Sequence, residues 1–183
     1  MVKTLYLMRH GQTRFNLQKR IQGACDSPLT EEGIEQARLA KDYFEREGIV
    51  FDEVYSSTQE RACDTAEIVS GRSDYIRLKG IKEWDFGAFE GQQEYLNPPL
   101  YPKIGYGDYF ETYGGESNIT VGQRMLETIS SVLNKTQAQT VLMVSHGGAI
   151  SRFYNLVLEN ISNVHLTNCA VSYTHLTLPT ILR

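Results

Sequence analysis

Thr4-Leu5-Tyr6-Leu7-Met8-Arg9-His10-Gly11-Gln12-Thr13 is the stretch that decides the fold. Residues 4–8 are almost wholly apolar, the pattern of a strand covered on both faces, and two cation-forming side chains follow at once. The same arrangement recurs at residues 141–145 (Val-Leu-Met-Val-Ser), which run into His146-Gly147-Gly148. Between them, residues 52–57 predict a strand, followed by a helix from about 59 to 70 that carries Arg61 near its start, and residues 75–78 predict a third strand. A helix is expected from Thr30, an N-cap with Glu31 and Glu32 in the first turn. Ile34, Ala37, Ala40 and Phe44 mark its apolar stripe, and Gly48 ends it. Val121, Met125, Ile129 and Val132 predict a long helix over 120–134, and a last one follows His146 to about residue 158. Strands alternating with helices predict the α/β class: a three-layer sandwich, its central sheet mainly parallel with helices on both faces. Ligands of such sheets bind beyond the strand C-termini.

The 183 residues, 41% of them hydrophobic and 22% charged, suit one globular domain with a substantial core. A net charge of -4 provides no whole-protein field for nucleic acid or anionic lipid, so an anionic substrate must meet a local cluster of cations. Cys25, Cys63 and Cys169 are widely spaced and odd in number, which predicts neither a disulfide framework nor a CxxC pair and fits a cytoplasmic protein. The apolar run before Arg9 is too short for a signal peptide or a membrane span.

Arg9 and His10 follow one buried strand, His146 another, and Arg61 opens the helix after a third. Three strand ends thus deliver two imidazoles and two guanidiniums to one edge of the sheet. Phosphoryl transfer needs little else, because its catalysis is mostly positioning and charge stabilisation. Guanidinium forks stay charged and bind phosphate in bidentate fashion. Gly11 and Gly147 are expected to allow close backbone approach to a phosphate, with helix N-termini adding N–H donors. His10 and His146 lack the short ligand spacings of zinc sites, and His165 and His175 have no partnered acids, so no metal and no other cofactor is expected.

Arg9-His10-Gly11-Gln12-Thr13 with Asn16, then Gly23, Asp26-Ser27-Pro28-Leu29-Thr30, Gly33 and Gln36-Ala37, resemble the opening of the phosphoglycerate mutase-like histidine phosphatases. Tyr55-Ser56-Ser57 with Arg61-Ala62 and Thr65-Ala66-Glu67, Glu83 with Gly87 and Phe89-Glu90-Gly91, Gly114-Gly115-Glu116-Ser117, and Val144-Ser145-His146-Gly147-Gly148 resemble the later blocks in the same order. The resemblance covers roughly residues 3–170. It implies that His10 is a nucleophile forming a phosphohistidine and that Glu83 is the general acid and base. Arg9, Arg61 and His146 would hold the phosphoryl oxygens, with Asn16, Gln22, Gly23 and the Gly11 and Gly147 backbone in the same pocket. His10 must then be neutral, its other ring nitrogen donating to a backbone carbonyl, whereas His146 is expected to be protonated. Asp85 and Glu90 are neighbouring carboxylates that the sequence leaves as alternatives to Glu83. Trp84, Phe86 and Phe89 are read as core or rim packing.

Residues 92–115, with three prolines, four glycines and five tyrosines, predict a long loop, or one with a single helical turn, of the kind that forms lids. A mutase returning the phosphoryl group to a small sugar acid needs added cations there, and Lys103 is the only basic residue between Gln92 and Ser117. Water is therefore the expected acceptor and a small phosphorylated metabolite the expected partner. A mutase and an inactive phosphate-binding module are the alternatives, and both monomer and homodimer fit. The resemblance ends at about residue 170, and residues 171–183 resemble the translated end of a transposase-type sequencing-library adapter. Residues 1–170 are accordingly expected to form the single domain, truncated at its C-terminus, and 171–183 a non-native tail. A genuine divergent terminus is the alternative.

Overall fold

The computed structural model describes residues 3–160, 166–168 and 180–182. Strand β1 spans Thr4–Arg9, β2 Glu53–Ser57, β3 Ile76–Leu78, β4 Thr140–Ser145, β5 Leu166–Asn168 and β6 Thr180–Leu182. The sheet order is β3-β2-β4-β1-β6-β5. The first four are mutually parallel, and β6 runs antiparallel to both β1 and β5. The helices are α1 (Arg14–Leu17), α2 (Glu31–Arg46), α3 (Glu60–Ser70), α4 (Asn118–Lys135) and α5 (Gly147–Asn160).

Successive strand side chains point to opposite faces, which makes the apolar runs of β1 and β4 serve two cores at once. Leu5, Leu7, Val141 and Met143 pack beneath Val121, Met125 and Ile129 of α4 and Phe153 and Val157 of α5. Tyr6, Leu142 and Val144 face the other way, against Ala37, Ala40 and Phe44 of α2 and Ala62, Ala66 and Val69 of α3. Three layers result. Thr30 caps α2 by accepting from the Gly33 N–H at 3.0 Å, and Gly71 closes α3 in the left-handed region at φ 67°. Both follow from the residue types at those positions.

The predicted segments fall within two residues of the observed ones, but α1 and several 3₁₀ turns carry no clear sequence period and were not foreseen. Residues 92–115 hold two such turns, Glu94–Leu96 and Tyr109–Tyr113, where one helical turn at most was expected. Of the suspected tail, only 180–182 fall among the described residues, as β6. Among the described residues no helix is long and apolar enough to cross a membrane.

Candidate active site

Register brings the two imidazoles together. Arg9 is paired with Ser145 at the ends of adjacent strands β1 and β4, and the His10 N–H donates to the Ser145 carbonyl at 3.0 Å. The next residue on each strand is a histidine, and the two rings lie 5.1 Å apart between centroids. Strand β2 flanks β4 on its other side, so Ser57 reaches the His146 Nε2 at 2.7 Å and α3 sets Arg61 beside His10.

The His10 ring is 5% exposed, and its Nδ1 lies 2.7 Å from the Gly11 carbonyl oxygen. A ring nitrogen at that distance from a carbonyl carries the hydrogen, which leaves the lone pair on Nε2. The Arg61 Nε–H donates to that lone pair at 3.3 Å. Burial, then Arg9 and then Arg61, hold the His10 pKa well below the ordinary 6.5, against the smaller opposing effect of the Gly11 hydrogen bond. His10 is thus neutral, oriented and unprotonated at Nε2.

His146 departs from expectation. Burial first, then Arg61, His10 and Arg9, push its pKa well below 6.5, a direction that favours the neutral ring over the protonated one. The Ser57 hydroxyl accepts from the Gln59 N–H at 3.2 Å, and His146 Nε2 is its acceptor among the described residues. With the hydroxyl donating to Nε2, the ring hydrogen sits on Nδ1. That atom and the Arg9 Nε are buried without a hydrogen-bond partner among the described residues.

Arg61 is fully buried, and its fork is largely committed to the protein. Nη1 donates to the Cys25 carbonyl and to Asp26 Oδ1, both at 2.9 Å, and Nη2 to the Gly23 carbonyl at 2.9 Å. Arg9 lies closer to the open cavity, where burial lowers its pKa from the ordinary value and the carboxylate of Glu83 opposes that shift.

Glu83 is 8% exposed and accepts from three backbone N–H groups: Trp84 at 2.8 Å, Gly148 at 3.0 Å and Ala149 at 2.7 Å. The α5 N-terminus thus spends these two donors on a carboxylate, where a phosphate had been expected to take them. Asp85 and Glu90 are engaged elsewhere. Glu90 accepts from the N–H groups of Gly23, Ala24, Cys25 and Phe86, and Asp85 Oδ1 from that of Gly87.

Arg9, Asn16, Gln22, Glu83 and Gly147 line one cavity of about 620 Å³. Gly11 and Gly23 are among the close-packed parts around it. A Cβ on Gly11 would stand 2.3 Å from the Gly33 carbonyl oxygen, and one on Gly23 would stand 2.1 Å from that of Trp84. These glycines let chain segments touch, and the Gly23 N–H already serves Glu90 at 3.0 Å. Gly147 leaves room for the Arg9 guanidinium, 3.4 Å from the position a Cβ would take. Trp84 and Phe86 are buried core residues as read, and they also line the cavity.

Sequence reasoning missed two cavity cations, Arg20 and Arg152. Arg20 lies over the Phe15 ring and donates through Nε to the Gly91 carbonyl at 2.6 Å, while Arg152 donates to the carbonyl of Lys103 at 2.6 Å. The basic residues absent from 92–117 are thus supplied by other segments, which no local spacing reveals. Gln59 was missed as well: it accepts from the Glu83 N–H at 2.9 Å and donates to the Gly23 carbonyl, joining two walls of the site. Among the described residues no group of three or more His, Cys, Asp or Glu is placed to hold a metal ion.

Both buried histidines make stability depend on pH. Below pH 6.5 the unfolded chain takes up protons that these folded rings refuse, so stability is complete above that value and declines as pH falls. Each ring contributes up to about 1.4 kcal/mol per pH unit. Thermal melting at pH 7.5 and 5.5 is expected to show a clear drop that His10→Ala makes shallower; equal slopes for both proteins would refute the assignment.

Parallel strand ends that gather a neutral imidazole and flanking guanidiniums, beside a cavity lined by Arg9 and Glu83, define an enzyme of phosphoryl transfer built on histidine. The chain belongs to the histidine phosphatase superfamily, branch 1, whose family pattern matches residues 5–180. It is 32% identical to a probable phosphoglycerate mutase of Proteus mirabilis over 92% of this chain and 82% of that protein. It is 30% identical to a metal-independent phosphoserine phosphatase of Arabidopsis thaliana, covering 96% of this chain and 77% of that one. A phosphoserine phosphatase mutant of Entamoeba histolytica, solved with phosphoserine, superposes with a TM-score of 0.73 at 31% identity, covering 86% of this chain and 81% of that one.

Proposed function

We propose that this enzyme hydrolyses small, carboxylate-bearing phosphomonoesters through a phosphohistidine on His10. The observation that carries the reading is the pinned His10 tautomer, with Nδ1 on the Gly11 carbonyl and the Nε2 lone pair left unprotonated beside the Arg61 Nε–H. Nε2 attacks phosphorus as the ester P–O bond breaks, and Glu83 gives its proton to the departing alkoxide. Water then attacks phosphorus and gives a proton back to Glu83, the P–N bond breaks, and its electron pair returns to Nε2. The unpartnered His146 Nδ1–H and Arg9 Nε–H are donors for phosphoryl oxygens, and the remaining Arg61 N–H adds a third. Asn16 and Gln22 border the same space. Gln22 has both ends of its amide bound, to Thr13 at 2.5 Å and Ser27 at 3.1 Å, and so acts by shaping the wall.

Arg20 and Arg152 give the cavity two cations for a substrate carboxylate. This fits the phosphoserine and phosphoglycerate named for the similar proteins. The same two arginines favour a second reading, return of the phosphoryl group to a small phosphorylated acid. Hydrolysis is preferred because a cavity of about 620 Å³ has room for water beside such a substrate. Steady release of inorganic phosphate from O-phosphoserine or 3-phosphoglycerate, without a bisphosphorylated primer, is the expected result. Turnover that starts only when primer is added would establish the mutase.

A further inference from the structure

Glu116 and Arg124 belong to no wall of the cavity, yet they meet at the back of the Glu83 segment. Residues 82–86 form neither helix nor strand, so their backbone groups need partners from outside. Arg124, on α4, supplies them. Its Nη1 donates to the carbonyls of Gly80 at 3.0 Å and Lys82 at 2.7 Å, and its Nη2 to that of Glu83 at 2.8 Å. Its Nε and Nη2 also hold Glu116 in a bidentate pair at 2.7 and 2.8 Å. All the N–H donors of the guanidinium are thereby used, and the side chains are only 19% and 23% exposed.

Glu116 completes the frame from the other side. Its Oε2 accepts from the Asp85 N–H at 3.1 Å, its own N–H donates to the Asp85 carbonyl at 2.9 Å, and its carbonyl accepts from the Trp84 Nε1–H at 2.6 Å. The pair therefore fixes the backbone on both sides of the Cα from which the Glu83 carboxylate reaches the α5 N-terminus.

We infer that the Arg124–Glu116 pair is a positioning device for proton transfer by Glu83, and that this is the task of the Gly114-Gly115-Glu116-Ser117 block. The inference rests on the reading of Glu83 as proton donor. Lysine cannot take the place of Arg124, because an ammonium has three donors and no planar fork. The loss must then appear where a proton is needed and be absent where it is not.

The test compares kcat/KM, which reports transfer onto His10 and departure of the alcohol, for two kinds of leaving group. One substrate is an alkyl phosphate the enzyme turns over, O-phosphoserine or 2-phosphoglycerol; the other is p-nitrophenyl phosphate, whose leaving group departs without protonation. Arg124→Lys is expected to lower the alkyl value by about 30-fold and the nitrophenyl value by less than about threefold, following the pattern of Glu83→Gln. Should Arg124→Lys fail to fold, Glu116→Gln keeps the side-chain size and is expected to show the same selectivity at about tenfold. Equal losses on both substrates, or none on either, while Glu83→Gln remains selective, would overturn the positioning role and leave the proton donor standing. A Glu83→Gln variant that does not discriminate between the substrates would remove the donor, and the inference with it.

Discussion

Replacement of His10 by alanine is expected to lower kcat by at least ~10⁴-fold while the protein stays folded. The reason is that the mechanism has one nucleophile. His146, 5.1 Å away between ring centroids, turns its Nε2 to Ser57 and presents a hydrogen at Nδ1, so it offers donation where attack is required. Arg9, Arg61 and His146 remain in the variant to bind an oxyanion. Kinetics with p-nitrophenyl phosphate, beside a competition assay with inorganic phosphate, check both halves of the expectation. More than 1% residual turnover in the variant would show that the phosphoryl group goes elsewhere.

Arg61→Ala is expected to be the second most damaging change, and it acts on rate and stability together. The lost donors cost about 10³-fold in kcat, the scale on which an arginine supports phosphoryl transfer. Removal also strands the Cys25 carbonyl, leaves the Gly23 carbonyl to Gln59 alone and breaks the 2.9 Å contact with Asp26. The expected stability loss is about 2–4 kcal/mol. Arg61→Lys keeps the charge without the fork, so it should recover part of the stability and little of the rate. Urea denaturation and steady-state kinetics separate the two effects, and a kcat within tenfold of the parent enzyme would contradict the role.

Much of this was legible in the chain because buried parallel strands announce themselves. Runs such as Leu5-Tyr6-Leu7 and Val141-Leu142-Met143-Val144 are apolar on both faces, and the residues that end them must stand at the sheet's C-terminal edge. His10, Arg61 and His146 could therefore be assigned to one place from order alone. Periodicity does not say which strands are neighbours, and the pairing of β1 with β4 is what sets the two rings side by side.

Long-range partners were the illegible part. Arg20 and Arg152 reach the cavity from the loop after α1 and from α5 respectively, while Gln59 and Glu90 meet residues far away in sequence. Each looks like an ordinary polar residue until the fold supplies its neighbour. Gly11 was read as making way for a phosphate, but a different close approach, that of Gly33 on α2, excludes a side chain there. The charge of His146 is not legible in the sequence for a related cause. Its residue type suggests a cation in an anion site, whereas burial among arginines pushes its pKa down.

The central claim is that the phosphoryl group rests on one nitrogen, Nε2 of His10, during turnover. Rapid quench into alkali, which preserves phosphoramidate bonds, followed by peptide mapping after reaction with ³²P-labelled p-nitrophenyl phosphate, addresses it directly. An acid-labile label on the peptide containing His10, absent from His10→Ala, is the predicted result. A label on His146, an acid-stable label on a hydroxyl or carboxyl group, or turnover with no labelled protein at any time would contradict it.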